Sequence, residues 1–531
     1  MKDSEEMSLY KILEKTIHTH SDRAACICCG HTWTYEQLKN RVDRLAAVFP
    51  SLGIKRKDRV AIIHKNCHVY LESYFASVKI GAVLVPINTR LASKEYSHIL
   101  KDSGAKILIV QDEILTSDLK GQTGLQNLEN IIVTGIPGRS LDSSGCLFYE
   151  SLIEDSTASC TQDESLQDSD TAQIYYTSGT TGQPKGVILT HGNNRRHAQE
   201  AVREFGLSAR DNWLHVSPMF HLADAWAVWA VTMAAGTHVV IPNFEARAVL
   251  TAIQEYKVTL SNFIPTMLNL LVNESRLEDY DLSSLRLVLS GGAPIAAEVV
   301  RQILDKFGCD YMQTYGLTET SPFLTISKLR ENMADLSWEE KFRIKVTTGR
   351  PYSGVQLKVV KADGSEVTKN EKDVGEVIAK GATVTPGYWN LEEETSKRIV
   401  DGWLHTRDLA VVNAEGYITL VDRMDDVICT GGENVYSVEV ENVLYSHPDI
   451  LEAAVIGLPD PVWGETVTAV VVSKVGKENE EADILRYCRK RLAPFKLPKR
   501  IFFTHSLPKT GSSKIFKFRL REKYSRSFEE E

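Results

Sequence analysis

Residues 175–191, YYTSGTTGQPKGVILTH, crowd the materials for holding phosphate into one short stretch. Gly179, Gly182 and Gly186 can take positive φ and bring backbone N–H groups close to an anion. Thr177, Ser178, Thr180 and Thr181 add hydroxyls, and Lys185 adds a cation. A Walker-type loop would need a second glycine five places after Gly179, followed by Lys and Ser or Thr. Pro184, Lys185 and Gly186 stand there, so the Walker spacing fails and a phosphate loop of another kind is expected. A plain polar turn would not need so many donors beside one lysine, and the flanking AQIYYT and GVILTH read as buried strands.

Two other clusters carry no chemistry on the same criteria. Cys26, Cys28 and Cys29 in AACICCGHTW invite metal, but the alternation reads as a hairpin turning at Gly30, and no second Cys pair at zinc-site spacing follows. They are expected to be small core residues. The acidic, Ser-rich EDSTASCTQDESLQDSD reads as a surface linker.

The elements that must position the phosphate loop alternate along the chain. RVAIIH precedes the helical VYLESYFASVKIGA; ILIV, NIIVTG and HVVIP read as strands, VLTAIQEYK as a helix, then TLSNFIP, LRLVLSGG and CDYMQTYG as strands. In AAEVVRQILDKFG, Val299, Val300, Ile303, Leu304 and Phe307 share one face, with Gly308 placed as C-cap. Thr34 with Gln37 forms a predicted capping box. The predicted class is α/β with largely parallel sheets, whose ligand sites lie where strands end in loops. A chain of 531 residues exceeds one core. A composition change near Asp422 marks a second unit, and the remaining ~100 residues suffice for a small α/β domain.

Composition of 43% hydrophobic and 25% charged residues is that of a globular protein. A net charge of -9 argues against nucleic acid as partner, whose binding draws on counterions released by an overall basic surface, so anion binding must be local. MKDSEEMSLYK lacks the apolar run of a secretory signal. The uncharged stretch from Ala225, broken by Gly236 and His238, reads as a buried helix followed by a strand and not as an integral membrane segment. Nine scattered cysteines read as reduced, which predicts a cytoplasmic location. A homodimer is left open.

Six stretches in order resemble the adenylate-forming (AMP-binding) superfamily, in its acyl-CoA synthetase branch. They are TSGTTGQPKG, SGGAP at 290–294, YGLTET at 315–320, HTRDLA at 405–410, DRMDD at 422–426 and LPKTGSSKI at 507–515. The resemblance implies a large multi-sheet N-terminal domain over 1–422, a hinge over 423–427 and a small mobile α/β domain over 428–531. It implies that Thr177, Ser178, Gly179, Thr180, Thr181, Gly182 and Lys185 close on the β- and γ-phosphates of ATP. Gly292, Ala293, Pro294 and Gly316 would shape the nucleotide and acyl site. Tyr315 would stack on adenine, Thr318 touch the α-phosphate, and Glu319 help hold Mg²⁺, a hard ion suited to one carboxylate plus phosphate oxygens. Asp408 would accept from the ribose hydroxyls with Arg423 in support, and Lys514 would reach the substrate carboxylate and α-phosphate, where negative charge concentrates. The small domain would then swing about Asp425 and bring Gly431, Gly432 and Glu433 of the strand TGGEN to the CoA channel.

Taken singly, Tyr315, Asp408 and Lys514 would read as a core aromatic, a surface acid and a solvated lysine. The implied function is an ATP-dependent carboxylic acid:CoA ligase working through an acyl-adenylate, acting on an aliphatic fatty acid. The alternatives are an adenylating enzyme loading a carrier protein, for which the basic CRKRLAPFKLPKR would be a docking surface, and a non-catalytic nucleotide-binding homologue.

Two positions depart from the family pattern: Arg407 stands where it has Gly, with its side chain expected outward and solvated, and Ser513 stands where it has Gly before the final lysine. His221 in PMFHLADAWAVW replaces the Asp that amino-acid-activating relatives use, so an amino acid is disfavoured, although Asp224 follows three residues later. His221 is expected to line the acyl or thiol channel or to be a hydrogen-bonded core residue. Trp226, Trp229 and Met233 would give an apolar pocket.

Overall fold

The computed structural model describes residues 8–115, 128–135, 145–157, 160–178, 183–293, 295–474, 476–477, 479–509 and 515–525. Four sheets form among them. The strand cores RVAII (Arg59–Ile63), AKILIVQ (Ala105–Gln111) and LVLS (Leu287–Ser290) are near-continuous apolar runs, the pattern of strands covered on both faces.

One sheet orders Leu147–Phe148, Asn130–Thr134, Ala105–Gln111, Arg59–Ile63, Val83–Pro86, Thr171–Ser178 and Pro184–Thr190. Its pairs are parallel except the last, an antiparallel hairpin in which Thr177 lies opposite Lys185. The second sheet orders Arg350–Pro351, Phe323–Ile326, Asp310–Gly316, Leu287–Ser290, Leu260–Phe263, Asn212–His215, Thr237–Val240, Ala24–Cys28 and His31–Thr34. Its middle is parallel and its edges are antiparallel. The segment from Ala225 falls in the helix Leu222–Met233, buried on nearly every side, and is followed by the strand Thr237–Val240.

The other two sheets correct the expectation of largely parallel strands. Val355–Val360, Gly375–Gly381, Trp403–Val412 and Ile418–Arg423 pair antiparallel throughout. In the small sheet Glu433–Val435, Ile428–Thr430, Gly464–Ser473 and Ile450–Asp460 are antiparallel, and Arg500–Phe503 alone adds in parallel. The cause is connection length: turns such as Asn413–Tyr417 and Gly431–Gly432 join neighbouring strands too briefly for a parallel crossover. The small sheet has its own core of Ile428, Val440, Leu444, Val455, Val467, Ala469 and Ile484.

Local punctuation works as its residues suggest. Thr34 Oγ1 accepts from Gln37 N at 3.2 Å while Gln37 Oε1 accepts from Thr34 N at 2.9 Å. Gly308 caps the helix Ala297–Phe307 at φ 65°, a left-handed conformation open to glycine. The cysteine hairpin turns at Cys29 and Gly30, but Cys29 is exposed and so is not a core residue as expected. No described helix is long and apolar enough to cross a membrane.

Candidate active site

The hairpin strands Thr171–Ser178 and Pro184–Thr190 close one edge of the first sheet, with Thr177 opposite Lys185. Ser178's side chain and Gly179, Thr180, Thr181 and Gly182 lie outside the described residues. Gly186 corrects the sequence reading: it lies within the strand Pro184–Thr190 and is not among the positive-φ glycines. It is needed for close approach, since a β-carbon there would press on Ile174, Tyr176 and Trp389, and its carbonyl accepts from Trp389 N at 2.7 Å. Lys185 is already engaged. Its Nζ lies 2.7 Å from Glu394 Oε1, on the helix Glu392–Arg398, and this hydrogen bond holds the Glu394 carboxyl below the usual carboxylate range.

The strand Asp310–Gly316 and the turn after Leu287–Ser290 meet at Thr314, whose Oγ1 donates to Ser290 O at 3.0 Å. Gly292 turns at φ 87°, Ala293 O accepts from Gln313 Nε2 at 3.4 Å, and Pro294 lies outside the described residues. Gly316 cannot carry a side chain, because a β-carbon would collide with the Pro322 carbonyl. The chain then enters the short 3-10 turn Thr318–Thr320, which buries Thr318 and Glu319. Tyr388 donates to Glu319 Oε1 at 2.8 Å.

Asp408 is the centre of the polar part. It is 4% exposed, and Oδ2 accepts from the Tyr315 phenol at 2.7 Å while Oδ1 lies 3.1 Å from Arg423 Nε. Burial first, and Asp408 second, push the Tyr315 hydroxyl well above its ordinary value. The Tyr315 ring packs with Leu324, Val377, Ala379 and Ala410. The paired positions Asp408 and Arg423 face each other across adjacent strands, which is why a carboxylate and a guanidinium fifteen residues apart meet.

Arg407 points outward as expected but is not merely solvated: its guanidinium pairs with Asp425. The TGGEN stretch is not one strand. Gly431 and Gly432 are the turn of a hairpin between Ile428–Thr430 and Glu433–Val435, at φ 59° and 84°. A β-carbon on Gly431 would press on the Trp463 ring, and Gly431 N donates to Trp463 O at 2.8 Å. Glu433 is exposed on this hairpin, and Ser513 and Lys514 lie outside the described residues.

His221 caps the helix Leu222–Met233, its Nδ1 accepting from Ala223 N at 3.2 Å. Asp224 does not face a ligand: fully buried, it accepts from His215 Nδ1 at 2.7 Å and Trp213 Nε1 at 3.3 Å. Trp226 and Trp229 are 1% exposed core residues, so they correct the expectation of an open apolar pocket at that helix. Trp226 packs edge-on to Trp213 and Phe323, and Trp229 to Tyr74 and Phe75.

The AMP-binding enzyme family matches residues 13–389, and the AMP-binding enzyme C-terminal domain matches 439–514. The chain belongs to the AMP-binding enzyme family. This AMP-binding enzyme is 37% identical to a feruloyl-CoA synthase of Amycolatopsis sp, over 93% of this chain and 94% of that protein. It is 35% identical to the fatty acid--[acyl-carrier-protein] ligase ScoC of Streptomyces coeruleorubidus, over 94% and 93%. The solved structure of the anthranilate CoA ligase AuaEII in complex with anthranoyl-AMP superposes with a TM-score of 0.89 at 28% identity, covering 98% of each chain. The fold is accordingly mixed α/β with a large N-terminal and a small C-terminal domain. The reaction class is that of an AMP-forming acyl-CoA synthetase, an acid–thiol ligase.

Three residues of this AMP-binding enzyme escaped sequence reasoning: Glu394 on Lys185, Tyr388 on Glu319, and Trp463 over Gly431. Glu394 and Tyr388 lie 209 and 69 residues from their partners, so no local spacing signals them. Trp463 is half exposed, a signal visible only in three dimensions.

Proposed function

We propose that the enzyme activates a carboxylic acid with an uncharged tail, aliphatic in our reading, and passes the acyl group to CoA. The carrying observation is the Tyr315–Asp408–Arg423 cluster, a buried mid-strand carboxylate held between a phenol and an exposed guanidinium, an acceptor suited to two adjacent ribose hydroxyls. In the first half-reaction the acid attacks the α-phosphorus of ATP, forming acyl-AMP and releasing pyrophosphate. Lys185 and the 177–182 turn would take the β- and γ-phosphates, Tyr315 the adenine and Thr318 the α-phosphate. Lys514 would stabilise charge developing between carboxylate and phosphorus.

Among the described residues no group of three or more His, Cys, Asp or Glu side chains can hold a metal alone. Glu319 would therefore share Mg²⁺ with phosphate oxygens and water, the usual coordination of that ion.

In the second half-reaction the thiol of CoA attacks the acyl carbonyl and AMP leaves. The small domain over 428–531 would turn about 423–427 to present Gly431, Gly432 and Glu433. Trp463, 51% exposed with the Lys499 ammonium 5.8 Å from its ring centre, offers a stacking face and a cation for the nucleotide end of CoA. His221 would line the acyl or thiol channel, its capping of the helix fixing the ring.

The identity to feruloyl-CoA synthase favours a second substrate, an aryl-propenoic acid. The identity to ScoC, with Arg489, Lys490 and Arg491 exposed at the C-terminal end of the helix Glu481–Arg489, favours a carrier protein as second acceptor. One experiment separates these: AMP and pyrophosphate release across aliphatic and aromatic acids, with CoA, with a phosphopantetheinylated carrier, and with neither. Aliphatic acids giving CoA-dependent AMP above aromatic ones is the expected result. Release with the carrier alone would replace CoA as acceptor.

A further inference from the structure

Asp425 and Asp426 are neighbours in the chain, yet they are held from opposite sides. Arg407, on the strand Trp403–Val412 of the third sheet, forks onto Asp425, with Nε 3.3 Å from Oδ2 and a second guanidinium nitrogen on Oδ1. The same residue's carbonyl accepts from Met424 N at 2.9 Å. Arg521, on the helix Lys517–Ser525, takes Asp426 Oδ1 at 2.6 Å. That helix packs through Leu520 and Tyr524 on Ala454, Ile456 and Leu458 of the small domain. One peptide therefore separates a carboxylate held by the large domain from a carboxylate held by the small one.

The backbone of Arg407 adds a second observation. Its φ is 64°, in the left-handed region where a β-carbon is disfavoured. A non-glycine residue there persists when its surroundings over-determine it. Here those surroundings are the Glu376 carboxylate on Arg407 N at 2.9 Å, the Met424 amide on its carbonyl, and Asp425 on its side chain. Glycine would relieve the backbone but forfeit the last of these.

We infer that Arg407 and Arg521 are opposed clamps on Asp425 and Asp426, and that they position the hinge and set the balance between the two half-reactions. The inference rests on the proposed two-step function with its domain swing. Turning the small domain carries Asp426 with Arg521 and pulls the chain away from Arg407, so the Arg407–Asp425 pair is the one that must open. That pair is the more exposed, at 49% and 47% against 29% and 20% for Arg521 and Asp426. Salt screens it accordingly, and its opening is the salt-sensitive step.

The test uses the full-length enzyme with Arg407→Gln, which keeps the β-carbon and removes the charge, Arg407→Lys, which keeps a charge, and Arg521→Gln. Amide hydrogen exchange across residues 422–428 reads the clamp without any substrate. Separate rates of pyrophosphate release without CoA, and of thioester formation from a synthetic acyl-adenylate, read the balance. Arg407→Gln should raise exchange at the hinge by about threefold or more, the scale of one exposed ion pair, and shift the ratio of the two rates by a similar factor. Arg407→Lys should restore part of both, and high salt should move the unmodified enzyme toward Arg407→Gln but leave that variant unmoved. Arg521→Gln should loosen the same segment. Unchanged exchange in Arg407→Gln would overturn the inference, and so would loss of both rates by one common factor, which would make Arg407 a support of the ribose site. If no acid is adenylated at all, the proposed function fails, while the exchange result still decides the clamp.

Discussion

Tyr315 donates its phenol to Asp408 at 2.7 Å and thereby ties the end of a strand in one sheet to the middle of a strand in another. Arg423 covers the other carboxylate oxygen, so a nearly buried acid is paired on both sides. A carboxylate so placed is preorganised for a diol and costs little to hold in place, because its desolvation is already offset by a cation and a phenol.

Replacing that acid should be felt in nucleotide binding before chemistry. Asp408→Asn should weaken AMP binding by about ten- to a hundredfold, the worth of a hydrogen bond to a charged group. Calorimetric titration with AMP checks it, and an unchanged dissociation constant would remove Asp408 from the ribose site.

With Lys185 taking phosphate as proposed, Glu394 would compete for it. Glu394→Gln keeps the shape and removes the counter-charge, so affinity for ATP and for pyrophosphate should rise, by up to about fivefold for a partly exposed pair. The KM for ATP and pyrophosphate product inhibition measure this. Weaker phosphate binding in the variant would mean that Glu394 orients Lys185 and does not compete for it.

Lys514→Ala should suppress acyl-AMP formation by roughly 10² to 10³, the scale for losing one transition-state donor. Supplied with ready-made acyl-AMP, the same variant should still form thioester. Equal loss of both steps would defeat the alternation of domains and leave one static site.

Stability should fall as pH drops from 6.5 toward 4. Burial pulls His64 and His191 down to about 4 and His197 to about 3. Between those values and the ordinary 6.5 the folded chain binds fewer protons than the unfolded one, so stability is present above 6.5 and is lost as pH falls through the depressed values. Each group contributes a slope of at most ~1.4 kcal/mol per pH unit. His197 stands among Trp226, Phe323 and Tyr352 with Nε2 unpartnered among the described residues. His197→Phe should therefore flatten the slope. Denaturant midpoints at constant ionic strength decide this, and parallel slopes for the two proteins would exclude His197.

Much of the architecture was legible because it is written in local pattern. The apolar runs of RVAII and AKILIVQ, the Thr34–Gln37 box, the cap at Gly308 and the buried helix before Thr237–Val240 each depend on residues within a few positions of one another. Motif order along the chain likewise carried the family, because order is a property of sequence alone. Side-chain partnership is not. Lys185 meets Glu394 across 209 residues, Tyr315 meets Asp408 across 93, and Gly186 is needed for the approach of Trp389 and not for its own φ. Trp226 and Trp229 read as an apolar pocket from sequence, whereas Trp213, Phe323, Tyr74 and Phe75 pack around them in the core. Periodicity determines which face of an element is apolar. How the sheets pack on one another decides which charges meet, and that packing is a sum of weak contacts over the whole chain that no short window contains.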